Sequence, residues 1–226
     1  MHDYCDVAPK SRCRDVFNSY LVEGAEFDND MPIIKTSDEL PNKLIPFSKA
    51  MSTDDHEQWV CFYEDDYKFE SMWNNPKKYL DRLKKFKGVI SPDFSLYRDM
   101  PMPIQIYNLY RSKAIGYWLQ ANGIEVIPNV RWGGKVTYFE ACAGVEKNKT
   151  IAIGSHGNVK NVEDRQWLND GLDAIIKILR PKNIVFYGAI PPSVTGLINM
   201  QGINIISFES YTSRAYKEER KNGNRQ

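Results

Sequence analysis

Acidic side chains follow two short apolar runs of this chain, and their type suits metal or acid–base chemistry. Asp66 comes shortly after the run WVCFY, and Asp93 follows Val89-Ile90. Carboxylates on neighbouring strand ends could hold Mg²⁺ or Mn²⁺, since hard cations select oxygen ligands, or could act as general acid and base. Acids in such places could equally cap a turn or lie in solvent. Asp66 and Asp93 are therefore the candidate catalytic and metal-binding residues.

A glycine-containing turn is the candidate for anion binding. Gly154, Ser155, His156 and Gly157 follow the buried run TIAI and precede a helical pattern. Backbone N–H groups in such a turn, together with a helix N-terminus, favour phosphate. No Gly-Lys-Ser/Thr follows, so this is not a Walker A loop, and an ordinary turn that uses glycine for its dihedral angles explains it equally well. His156 could be a base or a phosphate partner, or a structural histidine.

Two arginines and their neighbours extend the set of binding candidates. Guanidinium groups bind phosphate and carboxylate in a bidentate manner, which makes Arg111 and Arg131 candidates. Arg111 could instead be an exposed helix residue, and Arg131 could stack on Trp132 in a structural role. Ser95 and Asn129 are the remaining polar residues at these strand ends.

Composition excludes several classes of protein. The 226 residues are 42% hydrophobic and 26% charged, with a net charge of +1, which is typical of a soluble globular protein. The four cysteines are scattered, which suits a reducing cytoplasm and offers no zinc-ligand spacing. No apolar run is long enough to span a bilayer, so we expect a cytoplasmic protein without a membrane partner. Basic clusters at Lys84–Lys87 and in the tail give only weak support for nucleic-acid binding.

Short apolar runs alternate with helical patterns along most of the chain. We predict an N-terminal arm over 1–43, a single α/β domain over 44–210 and a basic tail over 211–226. Strands are predicted near 44–47, 59–63, 89–90, 124–130, 150–153, 183–187 and 203–208, and the main helices near 76–86, 104–121, 162–179 and 193–200. The pattern over 136–143 fits a strand or a short helix.

Continuous apolar strands separated by helices indicate parallel strands that are covered on both faces. The fold class predicted is α/β, with a mostly parallel sheet of about seven strands and helices outside. A compact, (β/α) barrel-like arrangement is favoured, because most strands are followed by their own helix and no G-x-G-x-x-G motif is present. An open doubly wound sheet is the alternative. In both, the carboxyl ends of the strands bring the candidate residues to one edge.

Several motifs, in order, resemble a known family. FYEDDYKFE, NPKKYL, GVISPDFSLYRDMP, GIEVIPNVRWG and IAIGSHGNVKN resemble the domain of unknown function 4417 family over most of the chain from about Trp59 to Gly188. The resemblance implies an association with bacteriophages, plasmids and other mobile elements, and implies no catalytic role. Its motif positions here are Asp66, Asp93, Ser95, Arg111, Asn129, Arg131 and Trp132. His156 is a departure from the family's pattern.

The candidate residues and the family resemblance are compatible with two functions. The first is a metal-assisted enzyme that acts on a nucleotide, a nucleic acid or another phosphorylated compound, in which Asp93 and Asp66 hold Mg²⁺ or Mn²⁺ or activate water. The second is a binding module without catalysis, which sequesters a nucleotide or a host protein in the same polar pocket, in a counter-defence or regulatory role.

Overall fold

The computed structural model describes residues 17–155 and 162–223, and these form an α/β structure with parallel sheets. The strands are β1 (Phe27–Asp28), β2 (Met31–Pro32), β3 (Leu44–Pro46), β4 (Trp59–Cys61), β5 (Gly88–Ile90), β6 (Val126–Ile127), β7 (Thr150–Gly154), β8 (Asn183–Tyr187) and β9 (Asn204–Phe208). The helices are α1 (Phe47–Ala50), α2 (Glu70–Asn74), α3 (Leu80–Leu83), α4 (Met102–Ala121), α5 (Tyr138–Cys142), α6 (Val162–Leu179), α7 (Pro192–Met200) and α8 (Tyr211–Gly223).

The parallel strands divide between two sheets, which corrects the prediction of one sheet with about seven strands. In the described residues, one sheet has the order β3-β4-β5-β6 and the other has the order β7-β8-β9. Within this part of the chain no ladder pairs β9 with β3, so the barrel-like arrangement is not shown. Neither described sheet has the reversal of strand order that defines a doubly wound sheet. The division arises because β6 is only two residues long and ends before Pro128, which cannot donate to a ladder.

The two sheets nevertheless meet just beyond the end of β6. Asn129 forms an isolated parallel bridge with Ala152 of β7. The N–H of Val130 donates to the carbonyl of Ala152 at 2.8 Å, and the N–H of Ala152 donates to the carbonyl of Pro128 at 2.9 Å. The carboxyl ends of β5, β6 and β7 therefore lie side by side.

One face of each sheet contributes to a shared apolar cluster, while the opposite faces pack against helices. The shared cluster contains alternate residues of the strands: Leu44, Trp59, Cys61, Tyr63, Ile90, Ile127, Ala152, Val185 and Tyr187, with Ile206 and Phe208 packed against it. Because residues two apart share a face of a strand, the intervening residues belong to the two outer clusters. The parallel strands other than β9 are buried on both faces, which explains their continuous apolar sequences.

Helix α4 packs against both outer clusters. Ile115 and Leu119 belong to the cluster beside the four-stranded sheet, and Leu109 belongs to the cluster beside the three-stranded sheet. Between these surfaces the helix also buries Arg111 and Lys113. A helix enclosed on several sides must bury polar residues as well as apolar ones, and the apolar spacing of its sequence does not reveal that.

The segments on either side of the sheets pack against them. Ile34 is fully buried and forms a parallel bridge with Val145, while residues 1–16 lie outside the described part. At the other end, the N–H of Tyr211 donates to the hydroxyl of Tyr187 at 2.8 Å, and Arg214 donates to the carbonyl of Leu44 at 3.1 Å. Arg214 thus binds the free edge of β3, so this basic residue of the tail has a structural contact.

Shorter elements depart from the sequence pattern. The undecided stretch 136–143 contains helix α5, preceded by a 3-10 turn over Lys135–Thr137. The predicted helix over 76–86 is a 3-10 turn, Pro76–Tyr79, that continues into α3. Across the described residues, we find no helix with the length and apolar character needed to cross a membrane.

Candidate functional site

A cleft of about 570 Å³ opens where β4, β5 and the segment after β6 end. It is lined by Glu64, Asp65, Asp66, Tyr67, Asp93, Ser95, Leu96, Tyr97, Arg98, Met100, Arg131, Trp132, Gly133, Asp164, Trp167 and Leu168. The structure thus brings together five of the residues singled out from the sequence, namely Asp66, Asp93, Ser95, Arg131 and Trp132. Asn129 and Arg111 do not line the cleft, and Gly154 lines a small adjacent hollow.

Asp93 forms a buried ion pair on the inner side of the cleft. Its side chain is 6% exposed, and one carboxylate oxygen accepts a hydrogen bond from Arg131 Nη1 at 2.8 Å. The other oxygen accepts from Asn129 Nδ2 at 2.7 Å. Asp93 lies just beyond β5, and the two donors lie just beyond β6, so adjacent parallel strands place the three side chains together. Asp93 consequently holds Arg131 in a fixed position.

Asn129 connects this ion pair to the interior of the protein. Its Oδ1 accepts a hydrogen bond from the hydroxyl of Tyr63 at 3.0 Å, and its N–H donates to Ser91 Oγ at 2.9 Å. Its carbonyl accepts a longer bond, 3.3 Å, from Lys113 Nζ. The side-chain amide and both backbone groups of Asn129 therefore have partners. Asn129 therefore orients Asp93 from the interior of the protein and does not line the cleft.

Two stacked tyrosines lie in the interior next to Asn129. The rings of Tyr63 and Tyr187 are stacked with their centroids 4.8 Å apart. Burial, followed by the nearby charge of Asp93, raises the pKa of Tyr63 well above its ordinary value. Tyr63 therefore stays neutral at physiological pH and acts as a hydrogen-bond donor to Asn129.

Asp66 is held by the loop that follows β5. One of its carboxylate oxygens accepts from the N–H of Ser95 at 3.1 Å, and the other accepts from Ser95 Oγ at 2.9 Å. The carbonyl of Ser95 in turn accepts from Asn108 Nδ2 of α4 at 2.7 Å. These bonds join the loops after β4 and β5. They leave the second lone pair of each Asp66 oxygen available to another partner.

Arg111 is placed away from the cleft, between aromatic rings. Its guanidinium carbon lies 3.9 Å from the centroid of Phe94, and its Nη1 donates to Glu70 at 2.6 Å. Nη2 donates to Asn108 at 2.7 Å. Arg111 therefore joins α4 to α2 and to the loop after β5. The binding role assigned to Arg111 from the sequence stays a prediction.

Gly154 and Ser155, the described residues of the glycine-containing turn, face the interior of the protein. A side chain on Gly154 would overlap the ring of Tyr63, and the N–H of Ser155 donates to the carbonyl of Tyr187 at 3.0 Å. Ser155 is buried, and its N–H group is used in the hydrogen bond to β8. His156 and Gly157 lie outside the described residues, so the anion-binding turn stays a prediction.

Trp132 depends on a glycine in helix α6. A Cβ atom added to Gly171 would overlap Nε1 of the Trp132 indole. The absence of a side chain at this buried helix position lets the indole lie against the helix backbone. The wall of the cleft therefore depends on Gly171, although glycine in a helix interior is intrinsically unfavourable.

We expect Gly171→Ala to destabilise the protein by about 1–3 kcal/mol, because the new methyl group must displace the indole in a packed region. The measurement is the free energy of unfolding by urea denaturation, together with the tryptophan fluorescence of the native state. The matched control is Gly196→Ala in α7, where an added Cβ meets nothing within 4 Å. There we expect a gain of about 0.5–1 kcal/mol. Equal effects of the two variants would contradict this role of Gly171.

Several residues that line the cleft were missed in the sequence. Arg98 Nη2 donates to Asp164 at 2.6 Å, and its guanidinium carbon lies 5.1 Å from the centroid of the Trp167 ring. Tyr67 and Tyr97 belong to the loops that carry Asp66 and Ser95. The two tyrosines could have been found as aromatic residues near strand ends. Asp164 and Trp167 come from the start of α6, and no local pattern indicates that they face this cleft.

Charge in the cleft is predominantly negative. Its lining contains five carboxylates, those of Glu64, Asp65, Asp66, Asp93 and Asp164, and two guanidinium groups, which gives a formal charge of −3. Both guanidinium groups already bind carboxylates, Arg131 to Asp93 and Arg98 to Asp164. A bare anion would therefore meet a repulsive field, whereas a cation would be attracted.

A metal site built from protein ligands alone is not formed in the described residues, where no group of three His, Cys, Asp or Glu side chains is arranged to hold an ion. Mg²⁺, however, is commonly bound by one or two carboxylates together with phosphate oxygens and water. The remaining lone pairs of Asp66 fit that mode. Among the described cysteines, burial raises the pKa of Cys61 and Cys142 to about 12, so these thiols do not supply a nucleophile.

Comparison with known proteins defines the class to which this fold and cleft belong. The family described as Domain of unknown function (DUF4417) matches residues 25–209, and the chain belongs to this family. It is similar to the Gene 1 protein of Mycobacterium phage L5, with 31% identity over 177 residues that cover 77% of each chain. It is also similar to the Gene 1 protein of Mycobacterium phage D29, with 34% identity over 181 residues, 77% of this chain and 66% of the relative.

The family resemblance read from the motifs is confirmed, and so is its association with bacteriophages. No solved structure matches the chain. The matched region contains every described residue that lines the cleft.

Proposed function

We propose that this phage-associated protein binds a phosphorylated ligand in the cleft, together with Mg²⁺ or Mn²⁺. The observation that carries the proposal is the pairing of an oriented guanidinium group, Arg131, with carboxylates on the same cleft lining. Phosphate requires the first and a divalent cation requires the second.

Arg131 is the group best suited to meet phosphate. A guanidinium has five N–H donors, and Asp93 accepts from Nη1. Nε of Arg131 is buried and has no hydrogen-bond partner among the described residues. The contact with Asp93, whose other oxygen accepts a hydrogen bond from Asn129, fixes the orientation of the group before any ligand arrives. An oriented guanidinium binds a tetrahedral anion with a smaller loss of side-chain entropy than a free surface arginine does.

A divalent cation is needed because the cleft lining is negatively charged. The five carboxylates oppose a bare phosphate, and a bound Mg²⁺ would offset that repulsion with its positive charge. We assign Asp66 as the carboxylate that holds the cation, and Asp93, the second metal candidate from the sequence, as the carboxylate that holds Arg131. Asp66 is the more accessible of the two, since Asp93 is almost fully buried. When bound, the cation would supply Lewis-acid polarisation of phosphate.

The hydrogen bonds of Asp93 favour one of the two candidate functions, the binding module, over the enzyme. Each of its oxygens already accepts a hydrogen bond from a protein donor. This favours a role in holding Arg131 over a role as general base, and it supports the second candidate function, sequestration of the ligand without catalysis. In the enzyme, Asp66 would act through the metal on a nucleotide, a nucleic acid or another phosphorylated substrate.

The experiment compares binding of tripolyphosphate with and without Mg²⁺ or Mn²⁺, by melting temperature and titration calorimetry. We expect binding to weaken at least tenfold without the cation, since the carboxylates then repel the anion. Asp66→Asn should remove the cation dependence, and Arg131→Gln should weaken binding at least tenfold. The control is Asp55→Asn, which affects an exposed ion pair with Lys43 outside this cleft. Tripolyphosphate and nucleoside triphosphates that both fail to bind, with either cation, would refute the proposal.

Turnover distinguishes the two candidates once binding is established. Release of phosphate from ATP or GTP that Asp66→Asn lowers by about 100-fold or more would identify an enzyme. Binding with no release of phosphate over hours would identify the binding module.

A further inference from the structure

Four aromatic side chains line the cleft, and protein groups already use two of them. The Trp132 indole lies against Gly171 of α6, and Trp167 lies beneath the guanidinium of Arg98. Tyr67 and Tyr97 are more open, because 77% and 58% of their surfaces are exposed, although Lys68 Nζ lies 5.6 Å from the centroid of the Tyr67 ring. Two large rings are thus largely exposed to solvent in a cleft whose lining is both polar and apolar.

The loops that carry the two tyrosines are joined by hydrogen bonds. Tyr67 follows Asp66 directly, and Tyr97 lies two residues after Ser95. The N–H and hydroxyl of Ser95 both bind the carboxylate of Asp66. The backbone that carries each ring is therefore anchored at the same point, close to the carboxylate that we assign to the metal.

Exposed rings in such a place have a physical cost. Apolar ring surface in contact with water gives up the stabilisation that burial would provide, about 25 cal/mol per Å². A planar ligand that stacks on the rings recovers part of it. Nucleobases stack on aromatic side chains whatever their sequence, because every base has a π-face. Sugar phosphates and inorganic phosphates have no such face.

We propose that Tyr67 and Tyr97 stack on the base of a nucleotide whose phosphates bind at Arg131 and the metal, an inference that rests on the function proposed above. The ligand class is then a nucleotide with Mg²⁺, in place of phosphorylated compounds in general. The rings provide affinity for any base, and the acidic wall with its cation binds the phosphates.

The test compares nucleoside triphosphates with tripolyphosphate, in the presence of Mg²⁺, by titration calorimetry. We expect ATP or GTP to bind about ten- to a hundredfold more tightly than tripolyphosphate, the range that stacking of one base supplies. Tyr67→Ala and Tyr97→Ala should reduce this advantage by several-fold each and leave the affinity for tripolyphosphate unchanged. Tyr97→Phe should retain the advantage, because the ring is preserved.

Tyr216→Ala is the matched control, since Tyr216 is 62% exposed and does not line the cleft. All these residues are largely exposed, so the variants should fold, which the melting temperature verifies. Equal affinity for tripolyphosphate and the nucleotides, with no effect of either tyrosine, would overturn the inference and leave the phosphate site intact. Loss of binding to both probes would instead count against the phosphate site.

Discussion

Replacement of Asp93 by alanine is expected to lower the free energy of unfolding by about 3–5 kcal/mol, the range found when one member of a buried ion pair is removed. Arg131 would keep its charge in a largely buried position, 12% exposed, without its carboxylate. The Asn129 amide would also lose the acceptor of a 2.7 Å hydrogen bond, which adds to the cost. Urea denaturation at pH 7 measures the change.

Two further variants show whether the ion pair is the cause. In Asp93→Leu with Arg131→Met, no buried charge remains. The loss of unfolding free energy in the double variant should therefore be about 2 kcal/mol smaller than the sum of the losses in the two single variants. Asp55→Ala breaks an exposed pair with Lys43, and it should cost less than about 1 kcal/mol. A cost for Asp93→Ala no larger than that of Asp55→Ala would show that the pair contributes little.

Replacement of Lys113 by methionine is expected to stabilise the protein. Lys113 is fully buried, and burial lowers the pKa of its amine from 10.5 to about 8. The shift corresponds to a cost of about 3 kcal/mol at pH 7, where the amine must be charged inside the protein. Its partners are two carbonyls at 3.3 and 3.4 Å, which return about 1 kcal/mol each. The net gain for Lys113→Met at pH 7 should be about 1–2 kcal/mol.

The pH dependence of this gain identifies its cause. The folded protein loses the proton near pH 8, while the unfolded chain keeps it to about 10.5, so the unfolded state binds more protons between these values. The stability of the unaltered protein therefore rises with pH in that window relative to Lys113→Met. The advantage of Lys113→Met should therefore shrink from pH 8, reach zero near pH 9 and reverse by about pH 10.5, because the charge cost of about 3 kcal/mol exceeds the net gain of about 1–2 kcal/mol.

Comparison of the two proteins cancels other groups that titrate in the same range. Cys61, whose pKa burial raises to about 12, destabilises both proteins alike above pH 9. The control is Lys177→Met, an exposed helix position with an ion pair to Asp173, where we expect a change below about 1 kcal/mol. A difference between the Lys113 variant and the unaltered protein that is constant from pH 7 to 10.5 would contradict the burial of a charged amine.

The positions of most strands could be predicted because the parallel strands other than β9 are buried on both faces. Thr150–Gly154 and Asn183–Tyr187 are continuous apolar runs, and the sequence places them correctly to within a residue. The short helix α2 was missed because it has only five residues, too few for the spacing of its apolar side chains to establish a helical period. The division into two sheets was missed because it depends on where hydrogen-bonded pairing stops beside Pro128.

Part of the candidate site could be predicted from the rule that parallel strands end at one edge. That rule correctly brings Asp66, Asp93 and Arg131 to one cleft. It does not say which of two successive residues faces the cleft, because side chains alternate and a shift of one residue reverses the face. Ser155 and Asn129 therefore turned out to face the interior, although they also follow strands.

The sequence by itself determined the α/β class, the positions of the parallel strands along the chain and the family, because these depend on local apolar runs and on spaced motifs. Only the tertiary structure decided which polar groups pair with each other. The ion pair of Asp93 with Arg131 joins residues 38 positions apart, and the burial of Lys113 results from surfaces that surround α4 on several sides. Pairing and burial of charges depend on distances between strands and helices, which no local pattern in the chain contains.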